Sequence, residues 1–270
     1  MGVFISSLRV PKSGSTPREC EDAVAAFPPA DPETWLTDPV SVAISDGASE
    51  SLLAGEWAAL LTDSVVDAVR DDQYLLHDDR HVASALVDAA VQWRRWVGEY
   101  VARRVGNGRP IAWYERPKLD RGPHATVLAA RFDHHPASLS TSWTAAALGD
   151  TCLFHTRGAR LLHAFPLESA AAFGNSPGLV NGFSHDHALL AHHVQTASGT
   201  ADQGDQFFLC TDALAAWFLA ETERGGHPGE TLCNFTRSGD LAGFETWLGD
   251  LRSAGAMGND DVTVVHVDLG

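Results

Sequence analysis

The apolar pattern changes period along this chain, and that change limits the folds open to it. Leu53, Trp57, Leu60, Leu61, Val65 and Val69 recur at helical spacing between Leu52 and Val69. The pattern returns from His81 to Val105 through Leu86, Ala90, Trp93, Val97 and Val101, then stops at Gly106 to Arg109 with Pro110 beyond. After it come short, strand-sized segments: Thr126 to Phe132, Trp143 to Leu148, Cys152 to His155 and Arg160 to Phe165. Gly149-Asp150 and Arg157-Gly158 read as hairpin turns between them. Further strands are expected at Val3 to Val10, Ala23 to Phe27, Val40 to Ile44, Phe207 to Cys210 and Val262 to Val267, and further helices at Ala213 to Glu223 and Leu241 to Ser253. Long helices in pairs, with strands in antiparallel-looking runs, indicate an α+β fold rather than alternating βαβ units.

With 270 residues and no break in composition, residues 1–270 read as a single domain. The net charge of −16 argues against nucleic acid and against an anionic membrane surface as partners. No apolar run approaches the length of a membrane span. Met1 to Val10 lacks the basic flank and apolar core of a signal peptide, so a cytoplasmic location is expected. Cys20, Cys152, Cys210 and Cys233 contain no C-x-x-C pair, so reduced thiols are expected rather than a zinc or redox site.

Acidic residues recur in one local setting, the edge of an apolar strand. Asp46 follows Val-Ala-Ile-Ser, Asp212 follows Phe-Phe-Leu-Cys-Thr, Asp260 stands just before Val-Thr-Val-Val, and Glu21-Asp22 directly precedes Ala23-Val24. A carboxylate where a rigid strand becomes a loop is firmly held yet free to face a cavity. Hard cations such as Mg²⁺ and Mn²⁺ take such oxygen ligands. Two of them roughly 3.5–4 Å apart can deprotonate a water and stabilise phosphoryl charge. Gly47, with no Cβ, lets the backbone after Asp46 approach an ion. Taken singly, each aspartate is equally a turn residue or a helix cap.

In order and spacing these segments resemble the metal-dependent type 2C protein phosphatases in their bacterial form. Cys20-Glu21-Asp22-Ala23 is similar to the first acidic motif of that family. Ser45-Asp46-Gly47-Ala48-Ser49 resembles its Asp-Gly motif, and Gly122-Pro123-His124-Ala125-Thr126 its entry to a central strand. Gly149-Asp150-Thr151, Cys210-Thr211-Asp212-Ala213 and Asn259-Asp260-Asp261-Val262-Thr263 resemble its remaining motifs. The resemblance implies a four-layer α-β-β-α sandwich, with two antiparallel sheets flanked by helical pairs. It implies two divalent cations, Mn²⁺ or Mg²⁺, with an optional third. Asp46 would bridge both ions, and Gly47 would offer its carbonyl. Asp212 and Asp260 would complete the coordination of the first ion. Glu21 or Asp22 would serve the second, Asp22 being better placed. Asp150 would lie near the third ion, and Arg18, with Arg9 as the alternative, would bind the substrate phosphate. Residues 171–204 would form a flap beside the cleft. The activity implied is hydrolysis of phosphoserine and phosphothreonine in proteins. Thr151, Ala213 and Asp261 depart from the usual Ser, Gly and Asn.

Other readings are weaker. Gly174-Asn175-Ser176-Pro177-Gly178 has the G-x-S-x-G spacing of a serine-hydrolase elbow, but Pro177 has no N–H to give to an oxyanion hole. His134-His135, His185/His187 and His192-His193 are read as surface or flap residues rather than zinc ligands. The competing functions are a catalytically weak pseudophosphatase acting as a binding module, and a di-metal hydrolase of small phosphate esters.

Overall fold

The computed structural model describes residues 2–29, 34–134, 140–174 and 177–270. In chain order the elements are β1 (Val3–Val10), β2 (Ala23–Phe27), β3 (Val40–Ser45), α1 (Ala54–Asp71), α2 (Asp79–Gly106), α3 (Arg116–Arg121), β4 (His124–Ala125), β5 (Val127–His134), β6 (Ser140–Leu148), β7 (Cys152–Arg157) and β8 (Arg160–Phe165). They continue with β9 (Val180–Asn181), α4 (His187–His193), β10 (Gln195–Asp202), β11 (Asp205–Cys210), α5 (Asp212–Glu223), α6 (Pro228–Ser238), α7 (Leu241–Ser253) and β12 (Val262–Leu269).

Two five-stranded sheets run in the orders β1-β12-β11-β7-β8 and β10-β6-β5-β3-β2, and β4 pairs with β9 alone. Every pairing is antiparallel. The two-residue alternation of a strand sorts the side chains into layers. Val42 and Ile44 of β3 face Leu128, Phe132, Phe207, Leu209 and Val265 in the core between the sheets. Ala43, Ala129 and Ala146 face the other way, against Trp57, Leu61 and Val65 of α1 and Leu86 and Trp93 of α2. Their small side chains let those helices approach closely. On the opposite side, Phe154, Phe208 and Val264 meet Leu214, Phe218, Phe244 and Leu248 of α5 and α7. The expected four-layer α-β-β-α sandwich is thus the observed architecture. Trp57 is wholly buried, and its indole N–H donates to the Val180 carbonyl at 3.0 Å. Side chains buried this completely each contribute ~2–3 kcal/mol.

Three expectations change. Gly149 to Thr151 is not a hairpin turn: β6 and β7 belong to different sheets, so these residues carry the chain across the sandwich. Arg157-Gly158 does close a hairpin, between β7 and β8. Residues 195–202 are not flap but an edge strand, β10, paired with β6 from Gln195↔Ala147 to Asp202↔Ser140. Its sequence Gln-Thr-Ala-Ser-Gly-Thr-Ala-Asp has almost no apolar face, because an edge strand over solvent needs little. Helices α3, α4 and α6 were not expected from the apolar pattern. All four cysteines are free. Among the described residues no helix is long and apolar enough to cross a membrane.

Candidate metal centre

Five strand-edge aspartates come from separate segments. Asp46 directly follows β3. Its N–H donates to the Thr126 hydroxyl at 3.1 Å, and its carbonyl accepts from the Thr126 N–H at 2.9 Å. The Thr126 and Thr151 hydroxyls lie 2.7 Å apart, so the loop crossing between the sheets is tied to the Asp46 backbone. Asp212 opens α5, where its Oδ1 accepts from the Ala213 N–H. Asp260 precedes β12; Arg252 holds its carbonyl at 2.6 Å, and its Oδ1 accepts from the Asp261 N–H. Asp46, Gly47, Asp150, Asp212 and Asp260 line one cavity of about 460 Å³.

Asp22 does not line that cavity but lies near Asp46 and Asp212, and it is only 2 % exposed. Its Oδ2 accepts from the hydroxyls of Thr211 and Thr263, at 3.1 and 2.6 Å. Its Oδ1 is buried with no partner among the described residues. Glu21 turns elsewhere: its carboxylate is 3.6 Å from Lys12 Nζ, and that ammonium also donates to Ser49 Oγ on the cavity rim. Asp261 is fully engaged, accepting from the backbone N–H groups of Lys12 and Glu21, both at 2.8 Å. Asp261 therefore fixes the first acidic segment against β12.

Arg18 is exposed on a short turn, Pro17–Glu19, and does not line the cavity. Arg9 donates to the Asp22 carbonyl at 2.9 Å and so supports the acid's backbone. The basic side chains lining the cavity are instead Lys118 and Arg121 of α3. Sequence reasoning missed them because Arg-Pro-Lys-Leu-Asp-Arg has one apolar residue and no helical stripe; its signal was charge, next to the Gly122-Pro123-His124 entry segment. His124 also lines the cavity. His187 is occupied between helices, its Nε2 donating to the Arg80 carbonyl at 2.9 Å. His135, Asn175 and Ser176 lie outside the described residues.

Burial, with Asp22, Asp212, Asp260 and Asp150 close by, pushes the Asp46 carboxyl well above its ordinary value. Burial foremost pushes Asp22 up to about 8. Burial, then Asp260 and Asp150, pushes Asp212 up to about 6. Asp46 and Asp212 are within hydrogen-bonding reach of each other. Like charges this close and this dry require protons or cations between them.

The chemistry of the donors suits divalent cations. The donors are all oxygens, the Asp22 Oδ1 is orphaned, and a Cβ on Gly47 would come within 2.7 Å of the Glu21 carbonyl oxygen, so only glycine brings this backbone so near. Among the described residues no group of three or more acidic, histidine or cysteine side chains is already placed to hold a metal ion.

No protein-family model and no curated protein matches this sequence. Solved structures do. The serine/threonine phosphatase Stp1 from Staphylococcus aureus matches with a TM-score of 0.58 at 13% identity, over 100% of this chain and 96% of its own. The catalytic domain of the serine/threonine protein phosphatase PstP, in complex with two manganese ions, matches with 0.52 at 15% identity, over 99% and 98%. RsbX in complex with magnesium matches with 0.51 at 17% identity, over 100% and 96%. At such identities the likeness is one of architecture, and it extends from end to end: the chain has the fold of the type 2C serine/threonine phosphatases.

Proposed function

We propose that this protein is a metal-dependent phosphatase that hydrolyses phosphoserine and phosphothreonine in proteins. The observation that carries the reading is the convergence of Asp46, Asp150, Asp212 and Asp260, from four distant segments, on one cavity near the buried Asp22. Asp46, Asp212, Asp260 and the Gly47 carbonyl would hold divalent cations, with the free oxygen of Asp22 nearby and Asp150 at the edge of the cluster. The magnesium and manganese reported with RsbX and PstP suit this oxygen-rich donor set. Bound there, such cations supply the charge that acidifies a water and offsets the phosphoryl oxygens.

The chain's own residues do the rest. Thr126, Thr211 and Thr263 fix the carboxylates through hydroxyl and backbone hydrogen bonds, so the site is organised before substrate arrives. Lys118 and Arg121 stand on the same cavity and draw the dianionic phosphoryl group toward the acidic floor. A second cavity of about 350 Å³ shares His124 and Leu179 with the first and continues along Phe183, Leu189 and Leu190. That extension suits a substrate longer than a simple phosphate ester.

The test is turnover of a phosphoserine peptide with and without Mn²⁺ or Mg²⁺. Hydrolysis should require the cation, stop on chelation, and fall by at least about 10³-fold in Asp46→Asn, which removes a charged ligand at the centre of the cluster. A variant that keeps full turnover would refute the assignment. Turnover of p-nitrophenyl phosphate without any of the peptide would point to small phosphate esters instead.

A further inference from the structure

His124 is held more rigidly than a wall residue requires. Its strand β4 pairs with β9 through His124↔Asn181. Its N–H donates to Ser51 Oγ at 3.3 Å, and its carbonyl accepts from the Ala48 N–H at 2.9 Å, just beyond Asp46-Gly47. The ring is fixed as well. The Asn181 Oδ1 accepts from the Phe183 N–H at 2.7 Å, and its Nδ2 donates to the Arg121 carbonyl at 3.0 Å. Those two bonds settle which end of the amide is which. The Nδ2 therefore faces His124 Nε2, 3.0 Å away, and that ring nitrogen must accept. The imidazole is then neutral, with its proton on Nδ1. Among the described residues Nδ1 has no partner, and it is not a sealed, buried atom. Gly122, at φ +82°, makes the arrangement possible: a Cβ there would lie 2.8 Å from the Phe183 ring and 3.0 Å from Asn181 Oδ1.

We propose that His124, in the neutral form set by Asn181, is a catalytic residue whose Nδ1–H donates a hydrogen bond to the leaving oxygen of the substrate. The inference rests on the phosphatase reading and adds to it. As the bond from phosphorus to the side-chain oxygen breaks, its electron pair goes to that oxygen. The attacking water leaves its hydroxyl on phosphorus and supplies the proton that ends on the released alcohol. His124 gives up no proton overall; it meets the charge that develops between those events. Of the described residues lining the acid-floored cavity, it is the only histidine, and it stands where that cavity joins the second one, along which the rest of the substrate would run. Asn181 is a positioning residue, acting through the ring.

A hydrogen bond to the leaving oxygen matters most when that oxygen leaves badly. The experiment compares a phosphoserine peptide, whose alkoxide is a poor leaving group, with p-nitrophenyl phosphate, whose phenolate is a good one, both with Mn²⁺. His124→Ala should lose about 100-fold in kcat on the peptide and under about 5-fold on the nitrophenyl ester. His124→Asn, whose side-chain amide places an N–H near the Nδ1 position, should recover most of the peptide activity. Asn181→Leu removes the donor that holds Nε2 as the acceptor, leaves the ring free to take either tautomer, and should lose about 10-fold on the peptide and little on the nitrophenyl ester with the histidine in place. Equal losses on both substrates, no recovery in His124→Asn, or an unaffected Asn181→Leu would each overturn the proposal. A wild-type chain inactive on both substrates would overturn the phosphatase reading itself, and this inference with it.

Discussion

Asp22 and His266 are buried titratable groups whose burial acts on stability in opposite directions with pH. Asp22 carries its carboxyl up to about 8 from an ordinary 3.8, chiefly because burial penalises the charge. In the cation-free protein its contribution is complete below about pH 4, where folded and unfolded chains both hold the proton. It is lost as pH rises through about 8, because the unfolded chain ionises first. His266 is the reverse case. Its imidazole is stacked on Phe208, and its Nδ1 is 2.8 Å from the Thr236 hydroxyl. Burial, then Arg237, takes it down to about 3. Its contribution is complete above the ordinary 6.5 and is lost as pH falls toward 3. Between about pH 7.5 and 8 His266 is nearly silent and the buried thiols, whose ordinary value is 9.0, add little, so the acidic cluster should dominate the slope. Urea unfolding in chelator should show stability falling across that window, by about 1.4 kcal/mol per pH unit for each proton the folded state retains. Asp22→Asn should flatten part of the slope. An unchanged slope in that variant would mean that Asp22 is already ionised in the folded chain.

Helix α3 is short, yet it supplies the basic side chains that line the acidic cavity. Lys118 and Arg121 line the cavity and Arg18 does not, so on the proposed function phosphate capture falls to α3. Lys118→Ala with Arg121→Ala should raise KM for a phosphopeptide about 10-fold or more at low salt, an effect that shrinks as salt screens the field. Arg18→Ala should change KM less than about 2-fold. The opposite ranking, from initial-rate measurements, would restore Arg18. What the sequence hid here has a physical cause. Strands β1, β2 and β8 and helix α7 could be read to the residue: β1 buries most of its length, α7 turns Phe244 and Leu248 inward one turn apart, and the half-buried β2 and β8 are closed off by Pro28, Gly158 and Pro166. Helix α3 buries only Leu119, and α4 only Leu190, so neither carries a stripe. The crossing at Gly149 to Thr151 was misread because a glycine turn between two strands looks the same whether they pair or belong to different sheets. The acids themselves were visible, since each interrupts an apolar run at its edge. Which oxygen of which acid is free was not visible: that depends on Thr211, Thr263 and Lys12, residues whose contacts span up to 249 positions of chain.

The two sheets are joined mainly by apolar packing, and the acidic cluster sits across their boundary. Asp22 and Asp46 belong to the sheet holding β2 and β3, Asp212 and Asp260 adjoin β11 and β12 of the other, and Asp150 lies in the segment that crosses between them. Without a compensating charge, this end of the sandwich pays a repulsive cost that the core must offset, as the raised carboxyls of Asp46 and Asp212 record. On the proposed function, a cation held between the carboxylates would remove that repulsion, link the sheets at once, and favour the folded chain over the unfolded one. Stability should therefore rise with Mn²⁺ concentration along the linkage curve, by about 2.7 kcal/mol at a hundred times the dissociation constant of a single site. Thermal or urea unfolding across a Mn²⁺ titration at pH 7.5 measures this directly, with no need for turnover. Asp46→Asn and Asp212→Asn should each weaken the response, and each should be more stable than the parent in chelator because one repelling charge is gone. Parent and variants gaining equally from Mn²⁺ would place the cation elsewhere on this acidic chain.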